Sequence, residues 1–200
     1  ESQGIDLNEI KKDFVLLEEL RAKINVWEKL SAFVKARLSW SDLSEISIPE
    51  TAVVLFTSGS ESLPKAVPLT HKNILTNISD AYECFTISGR DNILGILPPF
   101  HSFGLTVSMI LPLVLGSRVV FYPNPTHGGA LGDVINAYKI TILLGTPTFL
   151  NGILRASKSE QLRSLRLVVS GAEKCPEYVY GLLAETCPQV KVLEGYGVTE

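Results

Sequence analysis

A polar segment between Thr57 and Lys65 carries the residue types that hold phosphate groups in proteins. It follows an apolar run, Ala52–Phe56, and contains hydroxyl side chains, a glycine and, at its end, Lys65. Hydroxyl and backbone N–H groups donate to phosphate oxygens, and a lysine ammonium group neutralises negative charge. The segment is not a Walker A loop, because Lys65 lacks the preceding glycine and the following serine or threonine of that motif. From these residues alone, a phosphate site and a solvated serine-rich turn both remain open.

Histidines and cysteines are the other side chains that could carry chemistry. His101 lies in an apolar segment, Pro98–Gly104, where a histidine taken alone is more often a core or capping residue. The histidines have no compact metal-ligand spacing, and the three cysteines form no CxxC pair. An odd number of cysteines fits a reducing compartment better than a disulfide framework. We expect Cys84 and Cys175 to be small buried apolar residues rather than nucleophiles.

Two kinds of apolar pattern divide the chain at about residue 49. Residues 5–48 contain no Gly or Pro, and their apolar side chains recur every three or four positions. This predicts a helical leading segment, 1–48, in which Asp6 and Glu9 fit an opening capping box. It is interpreted as a packing or linking helix, in one or two pieces, with a partner-binding helix as the alternative.

The remaining residues, 49–200, alternate short β-rich runs with helix-length segments. The predicted strands are Ala52–Phe56, Ile93–Leu97, Arg118–Tyr122, Ile140–Leu144, Leu165–Ser170 and Val190–Glu194, and the predicted helices are roughly 71–87, 104–115, 129–138, 147–157 and 177–186. This order indicates an α/β domain with a mostly parallel sheet and helices on both faces. Such a sheet binds its ligand in the loops beyond the carboxyl ends of its strands.

The composition bounds the class of protein. With 200 residues and 46% hydrophobic residues, the chain can fill one globular core. Its net charge of −3 argues against a general nucleic-acid binder, and its apolar content argues against disorder. The stretch 92–117 has no charged residue, but prolines and a histidine interrupt it, so we expect buried elements rather than a membrane span. The chain starts at Glu1 and its single methionine is Met109, so we expect a piece of a longer protein, with any membrane association lying outside it.

Four segments that follow predicted strands resemble the motifs of the adenylate-forming superfamily. The first is Thr57-Ser58-Gly59-Ser60 with Pro64-Lys65, which is similar to its phosphate loop. Pro98–Gly104 resembles its acyl-gate motif, Ser170–Glu173 its adenine-contacting loop, and Glu194–Glu200 its Tyr-Gly-x-Thr-Glu motif. The wording of these motifs is most similar to the acyl-[acyl carrier protein] synthetase part of bacterial 2-acylglycerophosphoethanolamine acyltransferases. The resemblance covers about residues 51–200 and implies part of the large N-terminal domain of an adenylate-forming enzyme.

This resemblance implies an ATP- and Mg²⁺-dependent ligase that activates a fatty acid. In such enzymes a carboxylate attacks the α-phosphate of ATP and gives an acyl-adenylate and pyrophosphate. The acyl group then passes to a phosphopantetheine thiol, here on acyl carrier protein, for phospholipid acylation. The implied location is the cytoplasm, or the cytoplasmic face of the inner membrane in the parent protein.

The resemblance also implies a role for each residue that matches a motif. The triphosphate would be bound by Thr57, Ser58, Gly59, Ser60 and Lys65, and adenine would be contacted by Gly171, Ala172, Glu173, Tyr196 and Gly197. Thr199 would contact the α-phosphate, and Glu200 and Thr57 would bind the metal. The acyl chain and the thiol would pass along Phe100, His101 and Phe103. Of these, Lys65, His101, Thr199 and Glu200 would be catalytic.

The chain departs from the family pattern at Ser62 and Ala66, where the phosphate loop usually has glycine. Glycine adopts positive φ without steric cost, so these two residues predict an altered or strained loop. The family's ribose-binding aspartate, hinge and C-terminal lysine have no match up to Glu200, so we expect the 200 residues alone to be inactive. The alternatives are an acyl-CoA synthetase, a non-catalytic acyl or nucleotide binder, and a plain scaffold domain.

Overall fold

The computed structural model describes residues 21, 23–38, 47–57 and 63–200, and the chain divides into two units between Pro49 and Glu50. In the first unit, Arg21 and Lys23 are helical, whereas Ile24 and Asn25 are not. A helix, α1, then spans Val26–Leu38 and buries none of its side chains. The predicted capping box at Asp6 and Glu9 lies outside the described residues.

A capping box that sequence analysis missed begins α1. The Asn25 amide N–H donates to Glu28 Oε2 at 2.8 Å, and the Glu28 amide N–H donates to Asn25 Oδ1 at 2.9 Å. These bonds satisfy backbone donors that have no partner within the first turn of a helix. The long apolar repeat is therefore interrupted at residues 24 and 25, because Asn25 starts a new helix there.

The second unit opens with a β-hairpin. Strand β1, Thr51–Thr57, pairs antiparallel with β2, Lys65–Thr70, and the two form a sheet of their own. Sequence analysis predicted the first strand but interpreted Thr57–Val67 as a strand-to-helix loop, which was wrong for residues 65–67 and missed β2, the strand that contains Pro68. Proline is tolerated in a strand at a sheet edge, and both strands of a two-stranded sheet are edges.

Helix α2, His71–Cys84, follows the hairpin directly. Thr70 caps it, because its hydroxyl accepts from the Asn73 amide at 3.1 Å while Asn73 Oδ1 accepts from the Thr70 amide at 2.9 Å. Ile74 and Ile78 are its buried residues, whereas Cys84 is exposed, so the expectation that Cys84 is buried was wrong. The predicted start is confirmed, and the helix ends three residues before the predicted end of 87.

The main sheet has five strands in the order β4-β3-β5-β6-β7, and all of its pairings are parallel. The strands are β3 Asn92–Gly95, β4 Arg118–Phe121, β5 Ile142–Gly145, β6 Leu167–Ser170 and β7 Lys191–Glu194. The helical elements between them are α3 Ser102–Gly104, a π-helical segment Leu105–Ile110, α4 Leu111–Leu115, α5 Gly128–Tyr138, α6 Pro147–Ala156 and α7 Glu177–Thr186. The predicted α/β class with a mostly parallel sheet is confirmed. Within the described residues, no helix is both long and apolar enough to cross a membrane.

Helices cover both faces of this sheet. Alternate strand residues such as Leu94 and Val168 point into one apolar cluster, which includes side chains of α5, α6 and α7. Their neighbours Ile93 and Val169 point into a second cluster, with side chains of α2 and α4. Because both faces are buried there, the central strands β5 and β6 are buried at every position rather than at alternate ones.

A buried carboxylate, Asp91, connects the amino ends of the strands. Its Oδ1 accepts from Thr141 Oγ1 and from Arg166 Nε, both at 2.8 Å, and its Oδ2 accepts from Arg166 Nη2 at 2.7 Å. Thr141 immediately precedes β5 and Arg166 immediately precedes β6. Backbone bonds extend the link, from the Arg118 amide to the Asp91 carbonyl at 3.2 Å and from the Lys191 amide to the Arg166 carbonyl at 2.9 Å. All five strands therefore start from one hydrogen-bonded network.

The network changes the acidity of Asp91. Burial by itself raises the pKa of this carboxyl, but hydrogen bonds from Arg166, Thr141 and Ser88, together with the Arg166 charge, outweigh burial and lower the pKa to about 2. The unfolded chain has the ordinary value of 3.8. A depressed folded-state pKa contributes stability above the unfolded pKa, and that contribution is lost as the pH falls towards the folded pKa.

We predict that Asp91→Asn lowers the free energy of unfolding by roughly 2 kcal/mol at pH 7, since the pKa difference corresponds to about that much energy. The difference in the free energy of unfolding between the variant and the wild type should become smaller as the pH falls from about 4 to about 2. Urea unfolding at a series of pH values measures this. Asp80→Asn, an exposed aspartate on α2, is the matched control. If Asp91→Asn lowered the free energy of unfolding equally at pH 7 and at pH 2.5, Asp91 would act through packing and not through its charge.

Candidate active site

The parallel register brings the loops after β5, β6 and β7 to one edge of the sheet. Gly145 is opposite Ser170, and Ser170 is opposite Glu194. Each ladder continues past its strand, since the Gly171 amide donates to the Gly145 carbonyl at 3.1 Å and the Gly195 amide donates to the Ser170 carbonyl at 2.7 Å. The segments that begin at Gly171 and Gly195 therefore leave the sheet side by side.

The segment after β3 turns sharply at the same edge. The His101 amide donates to the Pro98 carbonyl at 3.2 Å, and a Cβ on Gly104 would lie 2.1 Å from that carbonyl oxygen. Only glycine permits this approach. The turn leaves Phe100 72% exposed and holds its ring centroid 5.5 Å from that of His101, which is also exposed.

Three of these segments meet at Gly171. A Cβ on Gly171 would lie 2.9 Å from Phe103 Cε1 and 3.5 Å from the Gly195 carbonyl oxygen. The Phe103 ring thus fills the place that a side chain on Gly171 would occupy. The π-helical segment Leu105–Ile110 begins two residues after Phe103. This helix form is rare overall, but where it occurs it is frequently at a functional site.

Glu194 ties the loop after β6 to the end of β7. Its Oε1 accepts from the Cys175 amide at 2.7 Å, and its Oε2 accepts from Tyr180 Oη at 3.3 Å. Burial, together with the charges of Cys175 and Glu194 and hydrogen bonds to both, raises the pKa of Tyr180. The phenol therefore keeps its proton at neutral pH and can donate it to Glu194.

The loop after β6 contains a left-handed residue that is not glycine. Ala172 has φ 69°, where a Cβ costs about 1–2 kcal/mol. Ala172 and Glu173 are both exposed, so their backbone and side chains face solvent beside Gly171. A strained backbone at a ligand-facing loop is a common feature of binding sites.

The hairpin supplies a second, separate group of candidate residues. Thr57, the last residue of β1, and Lys65, the first residue of β2, lie directly opposite each other. Lys65 is exposed and Thr57 is half-buried. Lys65 therefore does not lie in a strand-to-helix loop, as sequence analysis expected, but is the first residue of β2.

A family profile described as AMP-binding enzyme matches residues 8–200 of this sequence. The chain belongs to the AMP-binding enzyme family.

Curated relatives in the family are ligases that join acids to coenzyme A. The chain is 32% identical over 156 residues to a long-chain-fatty-acid–CoA ligase of Yersinia pestis. The matched region covers 76% of this sequence and 28% of that protein. The chain is 33% identical over 155 residues to a ligase of the same name from Bacillus subtilis, with 76% and 27% covered. It is 30% identical over 165 residues to 4-coumarate–CoA ligase 1 of Arabidopsis thaliana, with 80% and 29% covered. The chain thus spans less than a third of the length of these relatives.

Solved structures share the fold. MatB from Rhodopseudomonas palustris superposes with a TM-score of 0.69 at 26% identity, over 78% of this chain and 31% of that one. An ATP-bound chimera, RpMatB-BxBclM chimera B3, gives the same TM-score of 0.69, identity of 26% and coverage of 78% and 31%. The parallel sheet described here is therefore the fold of the family's N-terminal domain.

The structure brings some predicted site residues together and leaves others apart. Phe103 and Gly171 are in contact, and Gly195, next to Tyr196, completes that contact. Tyr196 is 96% exposed, so its ring is free to stack on a planar ligand. Ser58, Gly59, Ser60 and Ser62 lie outside the described residues. The predicted roles of Gly197, Thr199 and Glu200 stay predictions.

Two residues with structural roles at this site were missed by sequence analysis. Glu194 was treated only as part of a motif, and Tyr180 was placed in a helix without a role. The available signal for Glu194 was an acidic residue directly after the apolar pair Val192 and Leu193, at the carboxyl end of the strand Lys191–Glu194.

The donor set is compatible with Mg²⁺ held jointly with a nucleotide. Among the described residues, no group of three or more His, Cys, Asp or Glu side chains could hold a metal by itself. Mg²⁺ usually binds through one or two carboxylates and substrate phosphates. The exposed carboxylate of Glu200 is of the right type, and the Thr57 hydroxyl adds an oxygen at the hairpin.

We predict that Gly104→Ala lowers the free energy of unfolding by about 2 kcal/mol or more, because the new Cβ would collide with the Pro98 carbonyl oxygen. Gly181→Ala is the control, since a Cβ at Gly181 in α7 meets nothing within 4 Å and alanine favours a helix. Urea unfolding of both variants measures the difference. Equal stability of the two would mean that the turn at Pro98–Gly104 relaxes without cost.

We predict that Ala172→Gly raises the free energy of unfolding by up to about 1 kcal/mol. Glycine removes the strain of the left-handed conformation, but the greater backbone entropy of glycine in the unfolded chain offsets part of this gain. Ala172→Val should lower the free energy of unfolding, since a β-branched residue fits positive φ still less well. Urea unfolding of both variants checks the order. A glycine variant less stable than the wild type would contradict it.

Proposed function

We propose that this chain is part of an AMP-forming ligase that uses ATP and Mg²⁺ to activate a fatty acid. Its relatives carry the names long-chain-fatty-acid–CoA ligase and 4-coumarate–CoA ligase, and one structure with the same fold holds ATP. The observation that carries the proposal is the Phe103 contact. It joins the segment similar to the acyl gate with the segment similar to the adenine loop, at the edge where parallel sheets bind ligands.

In the proposed reaction, a carboxylate oxygen of the fatty acid attacks the α-phosphate of ATP. An O–P bond forms, the bond to the leaving pyrophosphate breaks, and an acyl-adenylate results. Lys65, opposite Thr57 at the loop of the hairpin, neutralises charge on the phosphates, and the exposed Tyr196 ring stacks on adenine. Glu200 binds Mg²⁺, which supplies further charge stabilisation.

The acyl group then passes to a thiol, with release of AMP. Phe100, His101 and Phe103 line the approach of the acyl chain and thiol, because they lie on the turn that reaches the Gly171 contact. We propose the phosphopantetheine of acyl carrier protein as acceptor, on the motif wording, with phospholipid acylation in the cytoplasm as its use. Coenzyme A is the second candidate, which the names of the curated relatives favour.

A non-catalytic nucleotide or acyl binder is the competing reading. This alternative rests on Ser62 and Ala66, which replace the usual glycines of the phosphate loop and would indicate that the loop has lost its function. Ala66 lies in β2, paired with Phe56, and is not among the residues with positive φ in the described part of the chain. Extended backbone accepts alanine at no cost, so Ala66 gives little support to that reading.

We predict that the gene product containing this chain catalyses pyrophosphate exchange into ATP only when a fatty acid is present. Lys65→Ala should reduce the rate on the order of a hundredfold, since it removes a charge aimed at the phosphates. The control is Lys72→Ala, an exposed lysine beyond the far end of β2, which should exchange like the wild type. Transfer of labelled acyl groups to holo-acyl carrier protein or to coenzyme A then identifies the acceptor.

The exchange assay separates the proposal from its rivals. A folded protein that binds ATP but exchanges no pyrophosphate with any acid is a binder and not a ligase. Exchange that is equal in the Lys65 and Lys72 variants would remove Lys65 from the mechanism. The isolated 200 residues are expected to show no acyl transfer, and measurable transfer by them would contradict that expectation.

A further inference from the structure

We propose that Glu194 is a positioning residue for nucleotide binding, acting through the loop Gly171–Cys175. The inference rests on the proposed function, because that loop is the segment expected to contact adenine. Glu194 itself does not need to touch the nucleotide. It fixes the backbone on which the contacts at Gly171, Ala172 and Glu173 are carried.

A backbone hydrogen bond attaches each end of this loop, and the Cys175 side chain is buried in the first apolar cluster. At its start, the Gly171 amide is bound to the Gly145 carbonyl at 3.1 Å by continuation of the sheet. At its end, the Cys175 amide is bound to Glu194 Oε1 at 2.7 Å. Between the two lie Ala172, Glu173 and Lys174, which are exposed, and Ala172 is in a left-handed conformation. A loop with an unfavourable backbone angle needs restraint at both ends to keep one conformation.

Glu194 can restrain the loop because its own carboxylate is held. It lies opposite Ser170 in the parallel ladder, which fixes where its side chain leaves the sheet. Its second oxygen accepts from Tyr180 Oη, on α7, at 3.3 Å. Hydrogen bonds to a charged acceptor are stronger than those between neutral groups. The carboxylate therefore joins three elements: the end of β7, the loop after β6, and α7.

The same residue connects the two segments expected to hold adenine. Glu194 directly precedes Gly195 and Tyr196, and the Gly195 amide is bound to the Ser170 carbonyl at 2.7 Å. The loop Gly171–Cys175, which is expected to contact the edge of adenine, and Tyr196, which is expected to stack on its face, are thus held at a fixed spacing. The bonds that hold them are those of the Cys175 amide to Glu194 and of the Gly195 amide to Ser170. A nucleotide that used both would lose affinity if the loop moved relative to β7.

The test compares Glu194→Ala with Glu194→Gln in the full-length gene product. Glutamine keeps a carbonyl oxygen for the Cys175 amide and offers an N–H to the Tyr180 oxygen, so it should preserve the loop. Glu185→Ala, an exposed glutamate on α7, is the matched control. The readouts are KM for ATP, KM for the fatty acid and kcat in pyrophosphate exchange, and hydrogen exchange of the Cys175 amide.

We expect Glu194→Ala to raise KM for ATP by about tenfold, the factor that corresponds to losing one hydrogen bond to a charged group. KM for the fatty acid should be unchanged, the Cys175 amide should exchange faster, and Glu194→Gln and Glu185→Ala should behave like the wild type. A role in overall stability alone would reduce the active fraction, which lowers kcat at an unchanged KM for ATP. That pattern, or an equal loss in the glutamine variant, overturns the inference.

The proposed function and this inference can fail separately. Wild-type protein without exchange overturns the proposed function, and the inference is then judged by the affinity for ATP of the wild type and the three variants. Weaker ATP binding in Glu194→Ala alone supports it. Equal binding in all four proteins, or no ATP binding by the wild type, overturns it.

Discussion

The site depends on the register of a parallel sheet, and one buried carboxylate helps to set that register. Asp91 is 4% exposed and binds the residues that precede β5 and β6, while backbone bonds from the same network reach β4 and β7. A parallel sheet has no hairpins to align its neighbouring strands, so their alignment comes from packing and from contacts such as these. Because each strand of this sheet is only four residues long, fixing the amino ends also fixes the carboxyl ends.

At the carboxyl edge the link between strands is polar again, but it works differently. Asp91 is saturated with donors and joins elements that do not need to move. Glu194 accepts one bond from a loop and one from a helix, and leaves the residues between Gly171 and Cys175 exposed. One edge of the sheet is therefore joined through a buried carboxylate, whereas the other presents exposed backbone with a left-handed residue, Ala172. Ligands of parallel sheets bind at the second kind of edge.

The hairpin is a separate sheet, but Val53 and Leu69 pack it against the second apolar cluster of the main sheet. Its two strands pair only with each other, and Thr57 and Lys65 meet at its loop. The proposed site thus draws its phosphate contacts from one sheet and its adenine and acyl contacts from another. Changes at the carboxyl edge should alter recognition of adenine and the acyl chain.

The sequence by itself determined the order of elements, the α/β class and the family, because apolar periodicity and motif order are local properties of the chain. It also placed Phe103 and Gly171 on loops that had to share one edge. Tertiary structure decided that residues 65–70 pair with β1, since a strand containing Pro68 has no local signature that separates it from a loop. It also decided the roles of Asp91 and Glu194. Each carboxylate takes its role from donors distant in sequence, Arg166 for the buried Asp91 and the Cys175 amide for the exposed Glu194, and only folding brings those donors within hydrogen-bonding distance.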